Sequence, residues 1–330
     1  MKRVLRLFGF GLAVLVLAAG GFYVWAWWAS DRALSRHVDT HTVEFPIPFP
    51  AALTGAADTA TGREASGAAG EDARPAGLAR AVERGRHLVE ARYGCNECHG
   101  SDLGGGVMVD AFPLGTLLGP NITSGTGSVA LDYTSADWDR IVRHGVRQDG
   151  TASTMPAQDF QRMSDRELSD IVAYIESVPP VDREVPAVRL GPLGKVLVAT
   201  GQLPLAADLV PSHHEPHPLE PPAAEPTVEF GRHLAATCVG CHGADLAGGR
   251  ILGGDPSWPP AANLTPHPDA LGDWRYEDFV TALRGGVRPD GTRIRMPMTL
   301  VVPKAQRMSD VEFEALWAYL QSIPAVAGGE

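Results

Sequence analysis

The sequence predicts a mostly α-helical protein with two tandem domains behind an N-terminal transmembrane helix. An uncharged apolar run near the N-terminus is long enough to cross a membrane. The chain then repeats a series of short motifs once, in the same order, which indicates two copies of one domain. Within each copy apolar residues recur at the spacing of one buried helical face, and no clear alternating strand pattern is present.

The N-terminal segment has the charge pattern of a membrane anchor. Lys2, Arg3 and Arg6 precede residues 7–29, which carry no charge and would form roughly 34 Å of helix. Three tryptophans at 25–28 lie where an aromatic belt belongs. Because basic flanks stay in the cytoplasm, the rest of the chain is predicted on the periplasmic (outer) side of the cytoplasmic membrane.

A cleaved signal peptide is the alternative for this segment. Ala18, Ala19 and Gly20 offer small residues for cleavage. The apolar run continues to Trp28, which is longer than a usual signal segment and favours an uncleaved anchor. Both interpretations place the two domains in the same compartment.

The repeat sets the predicted domain boundaries. The repeated segments are 85–88 and 231–234, 98–103 and 241–246, 145–150 and 286–291, and 155–156 and 296–297. In each copy Ser164-x-x-Glu167 or Ser309-x-x-Glu312 forms a capping box before an amphipathic helix. The predicted division is an anchor at 1–30, a flexible spacer at 31–78, a first domain at 79–182, a linker at 183–224 and a second domain at 225–330.

Composition excludes one class of partner. The net charge is −11, and an acidic surface repels the phosphate backbone, so no nucleic-acid partner is expected. No Gly-rich nucleotide fingerprint follows a strand, so any dehydrogenase activity would belong to a partner protein.

All four cysteines lie in two Cys-x-x-Cys-His motifs. Cys95 and Cys98 precede His99, and Cys238 and Cys241 precede His242. Two thiols at this spacing can form thioethers to one haem, and the following His can ligate its iron, so we expect two covalently attached haem c groups. A disulfide within each pair, or one zinc ion bound by four thiolates, would not explain why His follows both pairs.

A methionine lies at matching distance after each motif. Met155 and Met296 are each followed by proline, and a thioether as sixth ligand suits reversible electron transfer. Met298 competes with Met296 in the second copy. With one His and one Met predicted for each iron, no position is open for a substrate, so the sequence predicts an electron carrier and no enzyme.

Both copies resemble class I cytochrome c domains. The shared features are an N-terminal helix, Cys-x-x-Cys-His, a Gly-Pro-Asn type loop, Met-Pro and a C-terminal helix with Ala-Tyr near its end. Over about 79–182 and 225–326 the chain is similar to the diheme cytochromes related to the cytochrome c subunits of membrane-bound alcohol dehydrogenases. The resemblance implies two tandem class I cytochrome c domains after an N-terminal transmembrane helix.

The resemblance also implies contacts inside each domain. The terminal helices should cross, with Gly85 approaching Tyr174 and Gly231 approaching Tyr319. A loop carbonyl should accept the proton of the ligand His. That carbonyl would belong to Pro120 in the first domain and to Ala262, which departs from the family pattern, in the second.

The expected function is electron transfer between a dehydrogenase or quinol-oxidising complex and a downstream cytochrome or terminal oxidase. The alternatives are a diheme peroxidase-like enzyme and a fixed subunit of a larger dehydrogenase. Arginines shortly before the two methionines are expected either to neutralise haem propionates or to lie on a solvated helix face; they are Arg143, Arg147, Arg284 and Arg288. His144 is expected to be structural, and His213, His214 and His217 in the linker are expected to be solvated.

Overall fold

The computed structural model of the chain describes residues 2–41, 43–50 and 73–328. It begins with α1, Lys2–Leu34. From Arg6 to Leu34 this helix is long and apolar enough to cross a membrane, a test that N-terminal signal sequences also pass. The remaining elements form two helical domains with a connector between them.

The first domain contains α2 (Ala73–His87), which continues as a π-helical turn (Leu88–Arg92), and then α3 (Cys95–His99), β1 (Gly106–Ala111), β2 (Gly115–Gly119), α4 (Ser135–His144) and α5 (Asp165–Ser177). The connector contains β3 (Arg189–Leu190), α6 (Pro192–Ala199) and α7 (Ala206–Leu209). The second domain contains α8 (Val228–Ala235), α9 (Val239–His242), α10 (Tyr276–Gly285), α11 (Val302–Ala305) and α12 (Asp310–Ser322). The mostly α fold class is confirmed.

In each domain the first and last helices cross at a glycine. A Cβ atom added at Gly85 would lie 1.9 Å from the Asp170 carbonyl oxygen and 2.8 Å from the Tyr174 Cβ. At Gly231 the same distances are 1.9 Å to the Ala315 oxygen and 2.7 Å to the Tyr319 Cβ. The predicted close approach of these helices is confirmed in both copies.

Both predicted capping boxes form. The Ser164 hydroxyl accepts from the Glu167 backbone N–H, and the Glu167 carboxylate accepts from the Ser164 N–H. Ser309 and Glu312 make the same reciprocal pair at the start of α12. Each box satisfies backbone donors that the first helical turn leaves free.

A small sheet in the first domain was not predicted. β1 pairs antiparallel with β2, and β2 pairs antiparallel with β3 of the connector. The alternation that identifies a half-buried strand is missing because β1 exposes consecutive side chains, including Val107 and Met108. A Cβ at Gly119 would lie 2.1 Å from the Cys98 carbonyl oxygen, so the sheet packs directly on α3.

The predicted flexible spacer at 31–78 contains a packed segment around Phe45 and Phe49. Phe45 and Phe49 are each only 6% exposed and belong to the core of the first domain. Two buried aromatic rings fix a Pro-rich segment that composition alone marks as flexible. Residues 51–72 lie outside the described residues, and α2 begins at Ala73.

The connector is also packed, against both α1 and the first domain. The Lys195 ammonium lies 2.8 Å from an Asp31 carboxylate oxygen and 3.7 Å from the centre of the Trp27 ring. Leu205 and Ala207 are buried with Val146 of the first domain. The predicted linker at 183–224 is therefore packed over this part of its length.

An ion cluster joins the two domains in a reciprocal way. His87 of the first domain lies 2.9 Å from Glu312 of the second, and His233 of the second lies 2.8 Å from Glu167 of the first. The Arg92 guanidinium contacts both carboxylates at 2.8 Å. Glu167 and Glu312 are the equivalent capping-box residues of the two domains. The interface therefore contains the same histidine–glutamate contact twice, once in each direction.

Candidate haem sites

The first Cys-x-x-Cys-His motif forms the short helix α3. Gly94 at φ +67° and Gly100 at φ +80° turn the chain at its two ends, conformations that favour glycine. The His99 Nδ1 lies 2.8 Å from the Pro120 carbonyl oxygen. Since a carbonyl can only accept, Nδ1 carries the proton and the Nε2 lone pair remains for a metal. Burial lowers the pKa of His99, which favours the neutral imidazole that ligates iron.

The second motif repeats this arrangement at α9. The His242 Nδ1 donates to the Ala262 carbonyl oxygen at 2.7 Å. The departure from proline at this position leaves the bond intact because the backbone supplies the acceptor. The expectation of a loop carbonyl behind each histidine is confirmed, and both rings present Nε2 in the tautomer that an iron ligand needs.

The cysteines of both motifs have free thiols, and burial favours their protonated form. All four cysteines are free of disulfides. Burial raises the pKa of Cys95 to about 12 and that of Cys238 to about 11. Both motifs therefore retain the free thiols that thioether formation with the haem vinyl groups requires.

The two predicted methionines lie in different surroundings. Met155 is half-buried and packs against the core of the first domain. Met296 is 41% exposed, and its sulfur accepts a hydrogen bond from the Thr299 hydroxyl at 2.7 Å. Met298, the competing candidate, is half-buried itself and begins a 3-10 turn whose other two residues are exposed. The first domain therefore has the better-supported candidate for a sixth ligand.

Arg143 and Arg284 belong to the scaffold. Arg143 is fully buried and pairs with Asp139 at 2.6 Å and Asp165 at 2.7 Å. Arg284 pairs with Asp310 at 2.8 Å and its guanidinium carbon lies 4.2 Å from the centre of the Phe313 ring. Arg143 pairs with one carboxylate of its own helix α4 and one of α5, and Arg284 pairs with a carboxylate of α12, so both arginines brace helices of the scaffold.

Each candidate site lies against the methionine loop of the other domain. Asp159, four residues after Met155, packs against Gly240 within the second Cys pair, where an added Gly240 Cβ would lie 2.2 Å from the Asp159 Oδ1. Lys304, which follows Met296, lies 3.8 Å from Glu97 within the first pair. The charge of Lys304 acts on the thiols of both Cys95 and Cys238. The sequence did not indicate this junction, because the spacing of motifs within one domain carries no information about contacts with the other domain.

Two family comparisons match the two domains separately. The family described as "Cytochrome C oxidase, cbb3-type, subunit III" matches residues 80–175, and the family described as "Cytochrome c" matches residues 228–324. Both matches lie within the predicted domains and include the Cys-x-x-Cys-His motifs.

Curated relatives match across both domains. "Alcohol dehydrogenase (quinone), cytochrome c subunit" of Gluconacetobacter polyoxogenes is 29% identical over 74% of this chain and 56% of its own length. "Fructose dehydrogenase cytochrome subunit" of Gluconobacter japonicus is 28% identical over 74% of this chain and 53% of its own. This chain thus spans about half the length of these relatives. "Diheme cytochrome c-type" of Cereibacter sphaeroides is 26% identical over 76% of this chain and 88% of its own length.

Proposed function

We propose that this chain, which has two cytochrome c domains and two covalently attached haem c groups, relays electrons between a membrane dehydrogenase or quinol-oxidising complex and a downstream cytochrome or terminal oxidase. Haem c supplies a one-electron iron couple. The observation that carries the proposal is the junction between the sites, where Asp159 packs against Gly240 and Lys304 pairs with Glu97. Each domain thereby holds its methionine loop against the other's cysteine motif.

The residues have the following roles in this proposal. Cys95 and Cys98 attach the first haem, with His99 and Met155 as iron ligands. Cys238 and Cys241 attach the second, with His242 and Met296 as iron ligands. The hydrogen bonds of His99 to Pro120 and of His242 to Ala262 support these assignments, because they orient each ring and fix its tautomer.

The chain is related to cytochrome subunits of dehydrogenases, which carry electrons for a catalytic partner. This relation also favours a second form of the same function, in which the chain is a fixed subunit of a dehydrogenase complex. In either form the catalytic step belongs to another protein, and this chain binds, orients and insulates its two electron carriers.

We further propose that α1 anchors the chain and that both domains lie on the periplasmic side. The basic residues before α1, its length and the tryptophans at its far end support this. The contact of Lys195 with Asp31 and Trp27 keeps the connector close to that end of the helix. We keep 79–182 and 225–330 as the proposed limits of the two domains.

Purification from native membranes tests the proposal. We expect the chain to resist alkaline extraction and to copurify with a dehydrogenase, a quinol-oxidising complex or an oxidase. The intact mass should include residues 1–30, because the apolar run is too long for a usual signal peptide. A chain that is released by alkali, has lost this segment and brings no redox partner would contradict both the anchor and the relay.

A further inference from the structure

A cluster of potential metal ligands lies outside both haem sites. His41, Asp139, His144 and His217 each offer one ligand atom, and these atoms all lie within 4.8 Å of one another. Asp139 and His144 belong to α4, His41 follows α1, and His217 lies in the connector. Three separate parts of the chain therefore meet here. His213 and His217, expected to be solvated, are packed into this region; only His214 is exposed.

Hydrogen bonds fix the tautomer of His144. The His213 Nε2 donates to the Ala207 carbonyl oxygen at 3.0 Å, so the His213 Nδ1 can only accept. It lies 3.1 Å from the His144 Nδ1, which must therefore be the donor. The His144 Nε2, which faces the cluster, is left with its lone pair.

The same argument applies to His41. Its Nδ1 donates to the His213 carbonyl oxygen at 2.8 Å, which leaves Nε2 without a proton. This Nε2 is buried and has no hydrogen-bond partner among the described residues. A buried acceptor without a partner is costly, and a bound cation would satisfy it.

The remaining two groups complete a four-donor set. The His217 Nε2 lies 3.2 Å from the His144 Nε2 and 3.7 Å from an Asp139 oxygen; without an ion it donates to the His144 Nε2, and a bound ion would replace this proton. The rings of His41 and His144 are 4.9 Å apart between centres, and each is 5.2 Å from the ring of His217. Asp139 is held at the cluster by the buried Arg143, whose own charge is shared with Asp165.

We propose that His41, Asp139, His144 and His217 form a structural site for a divalent transition ion of the zinc type. Three imidazole nitrogens and one carboxylate oxygen are donors that zinc accepts in a closed tetrahedral site. Bonds of about 2.0–2.1 Å would set the donor atoms about 3.3 Å apart. The separations of 3.2 and 3.7 Å are already close to that value, and the widest must shorten.

The bound ion would join the segment after α1, the first domain and the connector at one point. His213 would act as a positioning residue, because it orients both the His144 ring and, through its carbonyl, the His41 ring. The site is distinct from the cysteine motifs, so haem attachment and zinc binding use different residues.

Zinc titration of the full chain with both haems attached tests the proposal. After removal of metal with a chelator, we expect one Zn²⁺ per chain to survive dialysis and to raise the melting temperature. His41→Gln and His217→Gln should each lower the affinity for zinc at least about 100-fold. Removing a residue that is only hydrogen-bonded to a metal ligand already lowers metal affinity about 10–100-fold, and removing the ligand itself should lower it more. His214→Gln is the matched control and should bind like the wild type, because His214 is an exposed neighbour in the same connector.

X-ray absorption at the zinc edge identifies the donors. We expect only nitrogen and oxygen neighbours at about 2.0–2.1 Å, without the sulfur at about 2.3 Å that a cysteine site would show. Unchanged haem absorbance and circular dichroism in the two variants would establish that they fold. Failure of the wild type to retain zinc, retention unaffected by both variants, or sulfur in the first shell would each overturn the proposal.

Discussion

Replacing Gly85 by alanine is expected to destabilise the first domain by about 3 kcal/mol or more. The added Cβ would lie 1.9 Å from the Asp170 carbonyl oxygen, and backbone cannot yield as a flexible side chain can. The helices α2 and α5 would have to move apart at the crossing that organises the core. Denaturation followed by circular dichroism measures the loss as a lower midpoint of the first-domain transition.

Gly77→Ala provides the matched control in the same helix. Among the described residues nothing lies within 4 Å of a Cβ at Gly77, so alanine should leave stability unchanged or raise it by about 0.5–1 kcal/mol through its helix propensity. Equal midpoints for Gly85→Ala and Gly77→Ala would show that the two helices do not cross as described.

Replacing Arg92 by methionine is expected to cost about 3–5 kcal/mol, because it removes the cation that pairs with two buried carboxylates. The side chains of Glu167 and Glu312 are each 3% exposed, and Arg92 contacts one oxygen of each at 2.8 Å. The interface between domains should open, which limited proteolysis and thermal melting would detect. Arg86→Met, which removes the exposed pair with Glu83, is the control and should change little. A melting temperature of Arg92→Met equal to that of this control would contradict the role of the cluster.

The same interface predicts sensitivity to acid. Burial alone would raise the pKa values of Glu167 and Glu312, but the bonds from His233 and His87 and the charge of Arg92 lower each pKa from 4.5 to about 2. Carboxylates that bind protons less readily when folded contribute stability above pH 4.5 and lose it as the pH falls toward 2. Arg92→Met should therefore flatten the acid dependence of unfolding over this range.

The sequence was sufficient for features that repeat within each copy. The capping boxes at Ser164 and Ser309 and the crossing glycines were predicted because local spacing or the family resemblance determines them. The fold class followed, since two copies with the same helical pattern leave few other arrangements.

Features that depend on contacts between distant segments could not be predicted. His144 and His217 are 73 positions apart, and nothing in the sequence near either indicates the other. The reciprocal pairs of His87 with Glu312 and His233 with Glu167 form only when two domains pack together. The Pro-rich composition around Phe45 predicts a flexible spacer without a core, although the Phe45 ring is buried in the core of the first domain.

The central claim is that each domain attaches one haem c and ligates its iron with one His and one Met. Haem quantification and visible spectra of the full chain, measured beside three methionine variants, test it most directly. We expect two covalent haems per chain in every form, with both irons low-spin in the wild type and in the control Met298→Ala. Met155→Ala and Met296→Ala should each make one iron high-spin, because each removes a sixth ligand. A wild-type chain with fewer than two covalent haems, or with one iron already high-spin, would contradict the account.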